Sequence, residues 1–261
     1  MRPLKRLQDW GVHTPPAPGS NAWYQANNAS SEWEVYLEGR TPCAGLAVNR
    51  AGLTSSTRSV TIPFGLDMKL ASSKVTMMPG QIFPLDKACK VADGYLIGFN
   101  NGEFGGGLYW FSADGKKHYE IPANAEFAEN TQFLLQRGSE LLSLRGLSHL
   151  GIHCGLLSRL AQDSRSIWKE TPLVDLKDSA GGYCFAGQDL WIATQSQLLK
   201  VSAQNKLTVV VEKAFWRGLY PNSMIFSAPN TLYIGIRSGA ARVRLKRGSS
   251  PEIRLLYPGD M

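Results

Sequence analysis

The clearest hydrophobic pattern in the chain is a set of three short apolar runs within residues 187–212. Leu190–Thr194, Leu198–Val201 and Leu207–Val211 are rich in aliphatic and β-branched side chains, and turn-forming residues separate them. Runs of this length and composition predict three short strands. A unit this small cannot bury its own apolar face, so the pattern predicts that similar units pack against it.

The same pattern recurs along the chain at a nearly regular spacing. Leu96, Leu141, Leu190 and Leu232 lie at the start of comparable runs and are 45, 49 and 42 residues apart. Leu46 precedes Leu96 by 50 residues and marks a divergent first copy. Repeats of roughly 20–50 residues are typical of propellers and arrays. Four short strands in each repeat predict an all-β fold, a β-propeller of about five four-stranded blades. A six-bladed ring is the first alternative, and a β-sandwich is the second.

The strands within the repeats can be placed from alternation and turn signals. The strands predicted outside the central unit are Glu32–Leu37, Gly45–Asn49, Ser59–Phe64, Lys74–Met78, Tyr95–Phe99, Leu108–Ser112, His118–Ile121, Phe133–Gln136, Leu141–Leu144, Leu156–Leu160, Ser166–Trp168, Gly182–Ala186, Met224–Ser227, Leu232–Ile236, Ala241–Leu245 and Glu252–Tyr257. Residues 1–31 have few periodic apolar positions and a proline-rich centre. They predict an N-terminal arm, followed by one propeller domain over residues 32–261.

The central unit also resembles a known repeat. The segment Leu190-Trp191-Ile192-Ala193-Thr194, followed by Leu198-Leu199-Lys200-Val201, is similar to the blade core of the regulator-type and NHL-like β-propeller repeats. The resemblance covers residues 94–258 at the level of single blades, and it implies a fold rather than an activity. The Trp-Asp pair that ends WD40 blades is missing from every unit, so that family is not assigned.

Composition sets the class of protein. The chain has 261 residues, of which 43% are hydrophobic, as expected of a globular protein. It has no run of about 18 apolar residues that could span a bilayer, so we expect no membrane partner. The N-terminus is basic but lacks the apolar stretch of a secretory signal. Cys43, Cys89, Cys154 and Cys184 lack metal-site spacing. They predict free thiols in a reducing, cytoplasmic location.

The positive charge is concentrated at the two ends of the chain. The net charge is +7, of which residues 1–10 carry +2 and residues 214–261 carry +5. Residues 11–213 have 18 basic and 18 acidic side chains and are neutral. Any positive field therefore belongs to the terminal segments.

Residues that could support catalysis or metal binding form no recognisable set. His153 and Cys154 are neighbours in sequence, and on a strand their side chains point to opposite faces, which favours a structural role. Glu103 with Asn100 and Asn101 is the one polar cluster that could hold a metal, although a solvated hairpin is favoured. We expect no cofactor and no catalytic residue.

Two groups of residues are candidates for binding a partner. Phe215, Trp216, Arg217 and Tyr220 lie in a long connection and have the composition of an interface hot spot, although they could instead cap the core. Arg242, Arg244 and Lys246 alternate with Val243 and Leu245, so a strand presents the three cations on one face. That face predicts an acidic protein partner, with a solvated edge strand as the alternative.

These features favour a non-catalytic, protein-binding propeller that is monomeric on its own. A bacterial adaptor or a toxin-neutralising, immunity-type protein would fit this description. One alternative is a metal-dependent hydrolase or lactonase with its site in the central channel. Another is nucleic-acid binding through the terminal basic patch, which we consider less favoured.

Overall fold

The computed structural model describes residues 5–29, 31–46, 59–70, 73–124 and 128–258. These residues are nearly all β and form two compact units, one from the described parts of 1–53 and 180–261, the other from those of 54–179. The domain predicted over residues 32–261 therefore spans two units. In this described part of the chain no helix is long and apolar enough to cross a membrane.

The first sheet belongs to the discontinuous unit and has three strands in the order β1-β4-β3. The elements of the N-terminal region are β1 (Lys5–Arg6), β2 (Gly11–His13), α1 (Asn21–Asn28), β3 (Trp33–Glu38) and β4 (Thr41–Leu46). β3 and β4 form a hairpin, and β3 corresponds to the strand that alternation predicted over Glu32–Leu37. Leu46 lies in β4, and residues 47–49 of the predicted strand Gly45–Asn49 are outside the described residues.

Two nested strand pairs begin the second unit. They are β5 (Ser59–Ile62) with β8 (Gln81–Pro84), and β6 (Leu66–Leu70) with β7 (Ser73–Met77). Their apolar side chains, including Ile62, Leu70 and Met77, are buried against Ile97 and Phe111 of the next sheet.

The second unit continues with two four-stranded antiparallel sheets. The first consists of β9 (Ala88–Val91), β10 (Gly94–Asn100), β11 (Gly106–Ser112) and β12 (His118–Glu120). The second consists of β13 (Thr131–Arg137), β14 (Glu140–His149), β15 (Ile152–Gln162) and β16 (Trp168–Asp175). Leu96, Leu108, Leu134 and Leu160 pack between these two sheets.

The discontinuous unit contains the last two sheets. One consists of β17 (Ala180–Ala186), β18 (Asp189–Thr194), β19 (Leu198–Val201) and β20 (Leu207–Val211). The other consists of β21 (Ser223–Ala228), β22 (Thr231–Ile236), β23 (Gly239–Arg244) and β24 (Glu252–Tyr257), with β2 added beside β24 as a fifth strand.

The repeat seen in the sequence corresponds to the sheets. Leu96, Leu141, Leu190 and Leu232 each lie on the second strand of a four-stranded antiparallel meander, namely β10, β14, β18 and β22. Such meanders, repeated in sequence, are β-propeller blades. The fold is therefore all-β and of the β-propeller type, as predicted.

The N-terminal region differs from the predicted arm. β1 pairs with β4 and β2 pairs with β24, so this segment adds a strand to two different sheets. Leu7 and Trp10, between the two strands, are buried against Trp33 and Leu256. The prediction of an arm over residues 1–31 is corrected for residues 5–29. Isolated anchors such as Leu7 and Trp10 have no period for a pattern to detect.

Candidate functional site

The connection between β20 and β21 contains the first predicted partner-binding group. The side chain of Trp216 is completely buried, and its Nε1 donates a hydrogen bond of 3.0 Å to the carbonyl oxygen of Thr194. The Phe215 ring is buried beside it, with ring centroids 5.6 Å apart. Both rings lie in the core shared by the last two sheets. Phe215 and Trp216 are therefore core residues, which corrects their assignment to a partner surface.

The other two residues of that group are exposed. Arg217 is on the surface, and the Tyr220 side chain keeps 48% of its area in solvent. The guanidinium of Arg237 lies 4.3 Å from the centre of the Tyr220 ring, a cation–π contact. Arg237 also donates hydrogen bonds to the carbonyl oxygen of Asn27, at 2.7 Å, and to Glu32, at 3.2 Å.

Helix α1 lies against this connection. The helix begins with a cap in which Ser20 Oγ accepts a 3.2 Å hydrogen bond from the amide of Trp23. The indole of Trp23 donates to the carbonyl oxygen of Phe215 at 3.2 Å. Gly218 has a φ of +78°, and a Cβ there would lie 2.9 Å from the Trp23 ring. Trp23 thus joins helix α1 to the connection between β20 and β21, a contact that could not be inferred from a segment interpreted as an arm.

The second predicted group lies on β23. Arg242 is directly opposite Arg254 of β24, and Arg244 is directly opposite Glu252. Directly opposite residues on antiparallel strands point to the same face of the sheet. Arg242, Arg244 and Arg254 therefore share one face, as the alternation predicted for the first two. Lys246 lies beyond the end of β23, yet its ammonium is 3.6 Å from Glu252. We call Arg242, Arg244, Lys246 and Arg254 the arginine face.

Negative charge on the arginine face comes from Glu252. Its carboxylate pairs with Lys246 and, at 3.3 Å, with Arg254. In the described part of the chain neither Arg242 nor Arg244 has a carboxylate within ion-pair distance. The buried Nε of Arg242 also has no hydrogen-bond partner.

The position of β23 corrects one alternative. The sequence allowed the three cations to protect an edge strand, but β23 lies between β22 and β24 in a five-stranded sheet. It has no free edge to protect. Arg254 was not among the predicted residues, since the β23–β24 register brings it opposite Arg242.

The polar residues considered for catalysis lie at the tip of the β14–β15 hairpin and beside it. Glu103 forms an ion pair with His149. His153 Nδ1 is 2.8 Å from the Ser148 hydroxyl and 3.6 Å from Asp178. Both contacts involve the same ring nitrogen, so the serine and the carboxylate do not lie on opposite ring nitrogens as in a catalytic triad. Cys154 Sγ instead accepts a hydrogen bond of 3.3 Å from the amide of Leu147, and burial raises the pKa of the Cys154 thiol.

The asparagine cluster near Glu103 has a structural explanation. Asn100 donates to Gln132 at 2.8 Å, and Gln132 donates to the carbonyl oxygen of Gly146 at 2.9 Å. Asn130 accepts from the amide of Asn101 and donates to the carbonyl oxygen of Gly102. These bonds join the ends of neighbouring sheets. Among the described residues no group of three or more His, Cys, Asp and Glu side chains is arranged to hold a metal.

Comparisons with known proteins add similarity of fold. No family model matches the chain, and no curated protein matches it. A virginiamycin B lyase from Staphylococcus aureus is 15% identical with a TM-score of 0.42, over 64% of this chain and 54% of that one. A streptogramin B lyase is 12% identical with a TM-score of 0.41, over 75% and 58%. A 6-phosphogluconolactonase-like protein from Bacteroides uniformis is 9% identical with a TM-score of 0.40, over 88% and 69%.

The first two of these structures are longer than the region they share with this chain. The chain spans little more than half of their length. At these identities and TM-scores the similarity carries no inference about activity. The propeller-type fold rests on the four-stranded meanders themselves.

Proposed function

We propose that this chain is a non-catalytic, protein-binding propeller whose arginine face docks on an acidic surface of another protein. The observation that carries the proposal is the cross-strand pair of Arg242 and Arg254. Like charges directly opposite on a sheet destabilise it. Glu252 compensates Arg254 but lies outside ion-pair distance of Arg242. Carboxylates of a partner would relieve this repulsion.

The face is also held rigidly. β23 is hydrogen-bonded on both sides, and Ala240, Ala241 and Val243 beneath and beside the arginines are fully buried. A rigid cationic surface steers an acidic partner during diffusion and fixes its orientation. Little conformational entropy is lost from the backbone when such a surface binds.

A protein fits this face better than a nucleic acid does. Glu252 places a carboxylate among the four cations, where it would repel a phosphate backbone. A protein surface can offer a basic group to Glu252 and acidic groups to the arginines. A rigid binder of this kind could act as an adaptor or as a toxin-neutralising protein.

The test is affinity capture from nuclease-treated extract of the source cells. The wild type is compared with Arg242→Gln/Arg244→Gln/Lys246→Gln and with a control that removes three exposed cations elsewhere, Lys90→Gln/Lys116→Gln/Lys117→Gln. We expect a protein with an acidic patch that binds the wild type and the control but not the arginine-face variant. Equal capture by all three chains would overturn the proposal.

The purified partner then gives a second measurement. Neutralising the arginine face should slow its association, and it should reduce the dependence of the association rate on salt. A species that is captured from untreated extract but not from nuclease-treated extract would instead favour the nucleic-acid alternative.

A further inference from the structure

Among the last strands of the four-stranded blades described, β20 has the least protected edge. β20 ends its sheet, and Leu207–Val211 reads Leu-Thr-Val-Val-Val, with neither a charge nor a proline. Val209 keeps 39% of its side-chain area in solvent. Uncharged, β-branched edges are templates on which another strand can pair, and natural sheets usually protect them.

The last strands of the other blades show such protection. β12 has three residues, and β16 carries Pro172 together with Lys169 and Asp175. β24 is covered by β2, which pairs along it from Gly11 to His13. A fifth strand thus covers the outer edge of β24. In the sheet of β20 the equivalent position is open.

We propose that the occupant of the β20 edge is a second copy of this chain. Antiparallel pairing about a two-fold axis at Val209 places Leu207 opposite Val211 and Thr208 opposite Val210 of the second copy. The same register places Lys206 opposite Glu212, and Glu212 opposite Lys206. The charges that flank the apolar run are therefore complementary to themselves under this symmetry, as a two-fold interface requires.

Both flanking charges are available for this pairing. Lys206 and Glu212 are exposed. Neither is in an ion pair within the described part of the chain, whereas Lys200 on the adjacent strand pairs with Asp189 at 2.7 Å. Two cross-strand Lys–Glu pairs would form in the dimer for each ribbon of seven residues.

The geometry limits the strength of the dimer. A bulge leaves Val210 without a partner in β19, because Leu198 pairs with Val211 and Leu199 pairs with Val209. A bulge increases local twist, so the two edges would pair over a short, twisted ribbon. The interface is therefore small, and we expect a reversible dimer that forms at high protein concentration. This inference is independent of the arginine face, which lies on a different sheet, and it revises the expectation of a monomer.

The test is sedimentation equilibrium of the full chain over concentrations up to about 1 mM, where weak interfaces of this size associate. Lys206→Glu and Glu212→Lys each place like charges opposite at both ends of the ribbon. We expect each to raise the dimer dissociation constant roughly tenfold or more, and the double variant Lys206→Glu/Glu212→Lys to restore it. Thermal melting of the four proteins serves as the control for folding.

Val209 offers a second test, because it lies on the proposed axis opposite itself. Val209→Lys and Val209→Glu should each be monomeric, and an equimolar mixture of the two should form a heterodimer. A wild-type chain that remains monomeric up to about 1 mM overturns the proposal. A dimer that tolerates both single charge reversals overturns it too. Protection of the β20 amides from exchange only after cell extract is added would overturn the second copy and indicate a strand of another protein.

Discussion

The guanidinium of Arg145 and the carboxylate of Glu170 lie 3.0 Å apart, and neither side chain has any surface in solvent. Arg145 also donates to the carbonyl oxygens of Ile121, Ala128 and Glu129 at 2.8–3.0 Å. The second oxygen of Glu170 accepts from the Ser143 hydroxyl. The pair therefore fixes the backbone at Ile121, Ala128 and Glu129, between β12 and β13, to the sheet that follows.

Removing one partner of this pair should be strongly destabilising. Glu170→Ala leaves a buried guanidinium without its counter-charge, and we expect a loss of about 3–5 kcal/mol in the free energy of unfolding. Urea unfolding followed by circular dichroism and tryptophan fluorescence measures it. The apolar pair Arg145→Met/Glu170→Leu should lose less than Glu170→Ala. Wild-type stability in Glu170→Ala would contradict the dry environment of the pair.

Trp216→Ala should lower the stability of the fold, because Trp216 is a core residue. The substitution empties a completely buried site and removes the hydrogen bond to Thr194, so we expect a loss of about 3–5 kcal/mol. Tyr220→Ala is the matched control, because its exposed ring contributes a cation–π contact of about 1 kcal/mol or less. Equal losses for the two variants in denaturant unfolding would contradict the placement of Trp216 in the core.

Trp10 tests whether the N-terminal region is part of the fold. It is 5% exposed, and its ring meets Trp33 edge to face at 5.0 Å. Trp10→Ala should cost about 3–5 kcal/mol in thermal or urea unfolding. Tyr24→Ala, which removes a ring that is 52% exposed, should change stability by about 0.5 kcal/mol or less. If the N-terminal region were a free arm, neither substitution would change the stability.

The four free thiols should react slowly in the native protein. Burial raises the pKa of Cys184 to about 12, and burial also raises the pKa of Cys43, Cys89 and Cys154. A raised pKa leaves little thiolate near neutral pH. Because the thiolate is the reactive form, these thiols react slowly. A colorimetric thiol reagent at about pH 8 should label denatured chains fully, and in native chains Cys43, which has no exposed surface, and Cys184 should react last. The double variant Cys43→Ala/Cys184→Ala should remove the slowest phase.

Acid should weaken the protein partly through Glu140. Hydrogen bonds from Arg137, with Arg159 nearby, hold the pKa of Glu140 below its ordinary range. A lowered pKa stabilises the fold above the ordinary pKa, and this contribution is lost as the pH falls through the lowered value. Glu140→Gln should therefore melt at a lower temperature than the wild type near neutral pH. The difference should shrink below about pH 4, and a constant difference would contradict this origin.

Spacing and alternation predicted most of the blades. Leu198–Val201, Leu207–Val211 and Glu252–Tyr257 are strands with the predicted bounds, because short apolar runs between turns carry their own signal. The prediction was wrong for β16, because it gave Ser166–Trp168 and the strand is Trp168–Asp175. Glu170 occupies a buried position there, and its partner Arg145 is distant in sequence.

In the candidate site, too, local sequence predicted some features and tertiary structure determined the others. Alternation placed Arg242 and Arg244 on one face, since it depends on neighbouring residues alone. Arg254 became part of that face through strand register, which sequence spacing does not define. Phe215 and Trp216 looked like an exposed hot spot because composition cannot distinguish a loop that fills a core from one that faces solvent.

The pairing of β2 with β24 has a consequence for the order of events during translation. Gly11–His13 leave the ribosome long before Glu252–Tyr257, the strand that contains their partners, is made. Residues 54–179 are synthesised in between, and their described parts form a compact unit of their own. The nascent chain can therefore bury Leu7 and Trp10 only in part, against Trp33 and Ala44, until β24 emerges, and a chain terminated before β24 would leave both more exposed to chaperones and proteases.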